Sequence, residues 1–89
     1  MALFDLLGRR WTLRALWELR SEPLTFRELQ IRCGGISSSV LNQRLRELRA
    51  AGILERERGT GYQLTHEGKA LLDALVPLQD WSERWGERA

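Results

Sequence analysis

Between Ser37 and Arg49 the chain carries Ser37, Ser38, Ser39, Asn42, Gln43, Arg44, Arg46 and Arg49, with Glu47 as the sole acid. These side chains share one chemistry, hydrogen bonding to the edges of nucleobases and to phosphate oxygens. Asn and Gln can pair bidentately with adenine, Arg can pair with guanine or phosphate, and Ser suits either. On a helix turning about 100° per residue, Ser39, Asn42, Gln43 and Arg46 share a face, with Ser38 and Arg49 at one flank and Arg44 at the other. Leu41, Leu45 and Leu48 then fall on the opposite side. Any surface helix shows polar groups to water, but three arginines against one acid is the balance that a phosphate-facing surface requires.

A second cationic group follows. Arg56 and Arg58 alternate with Glu55 and Glu57 ahead of Gly59-Thr60-Gly61. The alternation is strand-like and the glycines make a tight hairpin turn, so Arg56, Arg58 and Thr60 would lie over phosphates or a minor groove. Ion pairing with the intervening glutamates explains those arginines about as well. Arg27, on the preceding helix, completes the candidate DNA contacts.

The elements that must position these groups are marked by caps and breakers. A short helix over residues 2–7 stops at Gly8, and another starts near Arg10 and breaks at Ser21-Glu22-Pro23. Trp11, Leu13, Ala15, Leu16, Trp17 and Leu19 cover most of its circumference, which predicts a central helix with both tryptophans in the core. Thr25 and Glu28 form a capping box opening a third helix, whose Phe26, Leu29 and Cys33 share a face and which ends at Gly34-Gly35. Ser37 caps a fourth helix reaching about Ala51, and Gly52 stops it. After the hairpin, Thr65 caps a last helix with Leu71, Leu72, Leu75, Leu78, Trp81 and Trp85 on its apolar face, and Pro77 should kink it. Two short helices joined by a glycine turn and followed by a hairpin form a winged helix-turn-helix, with the recognition helix over about 38–51 and a wing over about 56–62.

Charge is distributed in the same sense. Residues 1–61 hold eleven Arg against seven acids, +4, whereas residues 62–89 stand at −2, and Lys69 is the only lysine. A GC-rich coding bias would also give Arg for Lys, so composition by itself only leans toward nucleic acid. The 89 residues suffice for one domain spanning 1–89. Catalysis has little to stand on: His66 is the single histidine and suits a helix start, and no phosphate loop, metal-ligand spacing or nucleophile motif occurs. The single Cys33 excludes an internal disulfide and is expected to pack in the core. With neither a secretory signal nor a membrane span, a cytoplasmic location is expected.

The run LLGRRWTLRALWELR, then LTFRELQ, GISSSVLNQRLRELRAAGILERE, YQLTHEGKALLDAL and DWSERW resembles the HxlR-type winged-helix transcriptional regulators of bacteria over nearly the whole chain. The resemblance implies a homodimeric DNA-binding repressor or activator, with dimer contacts from the first and last helices. On the first helix these would be Leu3, Phe4 and Leu7. On the last, Leu71, Leu75, Leu78, Trp81 and Trp85 also offer more apolar surface than one small core can cover. Three departures from the family pattern are visible. The chain begins almost at the first helix, without the segment that carries a cysteine in redox-sensing members, so Cys33 is not expected to sense oxidants. Ser38 stands where Pro is usual, and the wing is short. The expected fold is therefore mainly α with a small β-hairpin, a winged helix-turn-helix with N- and C-terminal dimerisation helices. Expected partners are a pseudo-palindromic double-stranded operator and a second copy of the chain, with room for a small-molecule effector of unknown identity and no membrane. No cofactor or metal is expected. The rival reading is a winged helix that binds protein instead of DNA.

Overall fold

A computed structural model of the chain describes residues 2–57 and 61–88. Arg58 and Thr60, at the tip of the expected wing, lie outside the described residues. In order, the elements are α1 (Ala2–Leu7), α2 (Thr12–Glu18), α3 (Phe26–Arg32), α4 (Ser38–Ala50), β1 (Leu54–Glu57), β2 (Gly61–Leu64) and α5 (His66–Arg88). The result is the expected winged helix-turn-helix: mostly helical, with a two-stranded antiparallel hairpin.

Local chemistry places the boundaries. At α3 the Thr25 hydroxyl accepts from the Glu28 backbone N–H at 3.1 Å while the Glu28 carboxylate accepts from the Thr25 N–H at 2.9 Å. Those bonds to Thr25, with help from Arg32, hold the Glu28 carboxyl below its ordinary 4.5. Gly34 and Gly35 follow with φ of 80° and 84°, the left-handed region in which a Cβ would be strained. The Ser37 hydroxyl accepts from Val40 N–H and opens α4. Thr65 does more than cap α5: its hydroxyl accepts from Gly68 N–H at 3.0 Å and donates toward the carbonyls of Gly52 and Ile53. One side chain thereby joins the end of α4, the start of β1 and the first turn of α5.

The core consists of Leu16, Leu19, Leu24, Leu29, Cys33, Ile36, Leu41, Leu45, Leu48, Ile53, Leu54, Tyr62 and Leu64. The expectation of a tryptophan core is corrected. On α2 it is the small and medium side chains, Ala15, Leu16 and Leu19, that are buried, whereas Trp11 only packs at the margin and Leu13 and Trp17 are 45% and 37% exposed. A helix with apolar residues all round must leave one side uncovered when the neighbours in its own chain occupy only the other. The hairpin also gains an unforeseen neighbour: Leu24 and Tyr62 exchange backbone hydrogen bonds at 3.0 and 2.8 Å, anchoring β2 to the segment before α3. Gly61 permits this approach, since a Cβ there would strike the Leu24 carbonyl and its φ is 137°.

The 23 residues of α5 run through Pro77 in one helix. Its first turns pack on the core through Leu71 and Leu72, while farther along Leu78, Trp81 and Trp85 are 56%, 51% and 59% exposed. The rings of Trp81 and Trp85 stack on one another with centroids 5.8 Å apart.

Thr25→Ala removes the hydroxyl of the capping box and is expected to cost about 1 kcal/mol of unfolding free energy in urea. The bond from the Thr25 backbone N–H to the Glu28 carboxylate survives in that variant; its stability is full above pH 4.5 and is lost as pH falls through the lowered folded value of Glu28, so it is Glu28→Ala on which wild type should converge on acidification. A constant gap across that range would count against the reciprocal bond.

Candidate nucleic-acid interface

The helix-turn-helix unit is α3, a turn over residues 33–37, and α4. Its turn is held by a side chain that sequence reasoning missed. Gln30 Nε2 donates to the Ile36 carbonyl at 2.9 Å and to Ser38 Oγ at 3.1 Å, while the Gln30 carbonyl accepts from Gly35 N–H at 3.0 Å. Ile36 is buried beneath this clasp. Only the spacing from Gln30 to the glycine pair hinted at such a role. Beyond the turn, burial of Leu41, Leu45 and Leu48, each at most 1% exposed, fixes the rotation of α4 about its axis.

That rotation carries Ser38, Ser39, Asn42, Gln43, Arg46 and Arg49 to the exposed side. Two of the serines are partly engaged, Ser37 as the cap and Ser38 with Gln30. Arg46 and Arg49 make no hydrogen bond or ion pair with another described residue, and together with Arg56 of β1 they border one shallow cleft of about 510 Å³. Arg56 lies opposite Tyr62 in the hairpin register, its guanidinium 5.5 Å from the ring centre, so an apolar neighbour holds its stem while the charge faces water. Glu55 accepts a hydrogen bond from Gln63 across the strand pair at 2.8 Å. Arg27 is exposed on α3. The cleft thus gathers three guanidinium groups from two elements beside the one carboxylate of Glu55, an arrangement able to follow a phosphate backbone.

Arg44 departs from the rest. Its side chain is 16% exposed, its Nε donates to the Arg10 carbonyl at 2.9 Å, and its Nη1 donates to Glu47. The flank to which the helical wheel assigns it faces the joint between α1 and α2, and both of its hydrogen bonds are made inside the chain. Burial would raise the Glu47 carboxyl, but hydrogen bonding and charge from Arg44, with Arg9 and Gln43 adding, hold it below 4.5.

Cys33 is 2% exposed, and burial, reinforced by Glu18 and only partly opposed by Arg14, pushes its thiol above the ordinary 9.0. The thiolate that attacks oxidants and electrophiles is correspondingly disfavoured. His66 lies exposed at the start of α5.

The residues expected at a dimer seam divide. Leu7 and Leu71 pack on the protomer core, whereas Leu3, Phe4, Leu78, Trp81 and Trp85 are exposed and Leu75 is half-buried. Leu13, Trp17 and Val76 join them unannounced: with Leu72, Leu75 and Leu78 they line an apolar groove of about 260 Å³ between α2 and α5. Among the described residues no helix is long and apolar enough to cross a membrane.

Residues 6–89 match the family model described as HxlR-like helix-turn-helix. The chain is 30% identical over 87 residues to the HTH-type transcriptional regulator YvaP of Bacillus subtilis, covering 91% of this chain and 81% of that protein. It is 32% identical over 90 residues to YodB, another HTH-type transcriptional regulator of the same organism, covering 94% and 80%. The crystal structure of quinone-bound YodB superposes with a TM-score of 0.85 at 34% identity over 93% of this chain and 92% of that one. A possible HxlR family transcriptional factor from Thermoplasma volcanium superposes at 0.86 with 29% identity, covering 96% and 82%.

Two substitutions separate the roles of the helix face and the hairpin. Arg46→Ala should weaken binding to a selected duplex by about 1–3 kcal/mol and relax preference at one base pair. Arg56→Ala should weaken all duplexes alike and reduce the salt slope by about one. Quantitative titration against the selected and a scrambled duplex checks both, and an Arg46→Ala variant as tight and selective as wild type would remove that face from consideration.

Proposed function

The chain belongs to the HxlR-like helix-turn-helix family and is, like its relatives, a DNA-binding transcriptional regulator; from that premise we propose that its single domain binds an operator as a two-fold homodimer. The α4 helix enters the major groove with Asn42, Gln43 and Arg46 toward base edges and Ser38 and Ser39 near its start, and Arg49, Arg56 and Arg27 lie on flanking phosphates. The observation that carries this reading is the partition of α4 itself. One side is a leucine stripe sealed from water, and the other presents hydrogen-bonding groups and guanidinium groups without a partner among the described residues. The convergence of Arg46, Arg49 and Arg56 on one cleft, against the single carboxylate of Glu55, supports DNA over a protein partner, since an excess of positive charge suits phosphate.

The second copy is assigned to the apolar side made by α1, α2 and the outer half of α5. Phe4, Trp81 and Trp85 there are each more than half exposed, and a stacked tryptophan pair is a large apolar area to leave in water. A two-fold axis through this seam brings two α4 helices to successive major grooves on one side of the duplex. A small-molecule effector would act by changing how the protomers meet, because that contact sets the spacing of the two reading helices. The regulator works in the cytoplasm, beside the DNA it binds, and the reading contains no catalytic step.

YodB has been crystallised with quinone bound, but Cys33 of this chain is not proposed as a thiol sensor, since its burial protects it.

Selection from a randomised pool is expected to return a pseudo-palindrome with half-site centres about 10 base pairs, or a multiple of that, apart. Trp81→Glu should shift sedimentation from dimer to monomer and leave only weak binding, without loss of fold, because the ring is half exposed in the protomer. Wild type sedimenting as a monomer at micromolar concentration would end the dimer reading. Cys33→Ser should bind DNA before and after peroxide treatment as wild type does, and a peroxide response abolished by that substitution would reinstate thiol sensing.

A further inference from the structure

Glu47 is the only acid between Ser37 and Arg49, and on a helix that meets DNA a carboxylate repels phosphate. Its surroundings account for its presence. One carboxylate oxygen accepts from Arg44 Nη1 and the other pairs with Arg9 Nε at 3.1 Å. Arg44 reaches on with Nε to the Arg10 carbonyl at 2.9 Å. The Glu47 and Arg44 side chains are 17% and 16% exposed, so their pairing is largely shielded from competing water and salt, whereas Arg9, at 53%, joins it from the surface. Its far end is the joint between α1 and α2, where Trp11 adopts φ 77°, the only non-glycine residue with positive φ among the described residues. A bulky side chain holds that conformation only where its surroundings impose it. Here the Arg10 guanidinium lies 5.6 Å from the Trp11 ring centre while the Arg10 carbonyl is tied to Arg44.

We propose that Glu47 and Arg44 are positioning residues for DNA binding: they clamp α4 to the α1–α2 joint and so set the angle at which the reading face is presented, without touching DNA. The proposal rests on the reading of α4 as the groove helix and adds to it a role for the one acid that the reading leaves over. It also separates Arg44 from Arg46 and Arg49, which charge and spacing alone place in one class. Lysine cannot stand in for Arg44, because a single ammonium cannot reach the carbonyl and the carboxylate with the geometry of a guanidinium fork.

The test is titration of the full chain, wild type and variants, against the duplex selected from a randomised pool, across a range of salt concentrations and with thermal unfolding measured in parallel. Arg44→Ala and Glu47→Ala should each weaken binding on the order of tenfold, and the double variant no further than the weaker single, since both remove one clamp. Arg44→Lys should fail to restore affinity. The salt slope should stay at the wild-type value in all of them. Simple electrostatics demands the opposite signs: loss of the Glu47 charge would tighten binding, and loss of a phosphate contact at Arg44 would lower the slope by about 0.9. Either result overturns the proposal. Glu47→Gln keeps the shape of the side chain and reports the same sign should the alanine variant unfold. Arg46→Ala on the same duplex distinguishes the two levels: if it binds as wild type, α4 is not the reading helix and the clamp proposal falls with that reading, whereas weakened Arg46→Ala beside unaffected Arg44→Ala and Glu47→Ala refutes the clamp alone.

Discussion

Leu41, Leu45 and Leu48 lose their contact with water along one side of α4, and nearly everything of functional interest follows from that burial. Three leucines at this spacing contribute several kcal/mol of hydrophobic stabilisation together, by the usual value of about 1.5–3 kcal/mol for a fully buried side chain. They also remove a degree of freedom. A helix anchored along a stripe cannot roll without exposing it, so the orientation of Asn42, Gln43 and Arg46 is a by-product of core packing. Gln30 acts at the other end of the same constraint, pinning the turn that delivers the chain into α4.

The elements read correctly from sequence were those governed by contacts within a few residues. The Thr25–Glu28 box, the Ser37 cap and the glycines at positive φ act over three or four residues, and such physics is written in the order of residue types. What escaped notice depends on partners far along the chain. Arg44 bonds a carbonyl 34 residues away, and the bridge from Leu24 to Tyr62 spans the whole helix-turn-helix. A helical wheel could place Arg44 on a flank, but not show what that flank faces. Trp17 failed in a different way: apolar periodicity all round α2 identified it as hydrophobic without revealing that its neighbours cover only the opposite side.

The two chemistries of the surface are kept apart by the fold. Arg46, Arg49 and Arg56 gather around the end of α4 and the hairpin, while the stacked pair Trp81 and Trp85 belongs to the outer half of α5, whose part of the chain is net acidic. The separation suits a molecule in which apolar association and phosphate binding must not compete for the same area. Arg14 on α2 and Arg32 on α3 are instead paired with local acids, Glu18 and Glu22.

The Thr65 hydroxyl, bonded at once to the Gly52 and Ile53 carbonyls and to the Gly68 amide, makes the root of α5 a fulcrum. The first turns pack on the core through Leu71 and Leu72, and beyond them the helix is a lever arm: Trp85 lies about 20 Å past Leu72, so a tilt of about 5° there would sweep that ring through about 2 Å. Motion in the other direction is geared down in the same ratio. Ångström-scale adjustment among the tryptophans would reach the end of α4 as a small rotation, and the arm can accommodate an imperfect fit at its tip while the groups at its root keep their register.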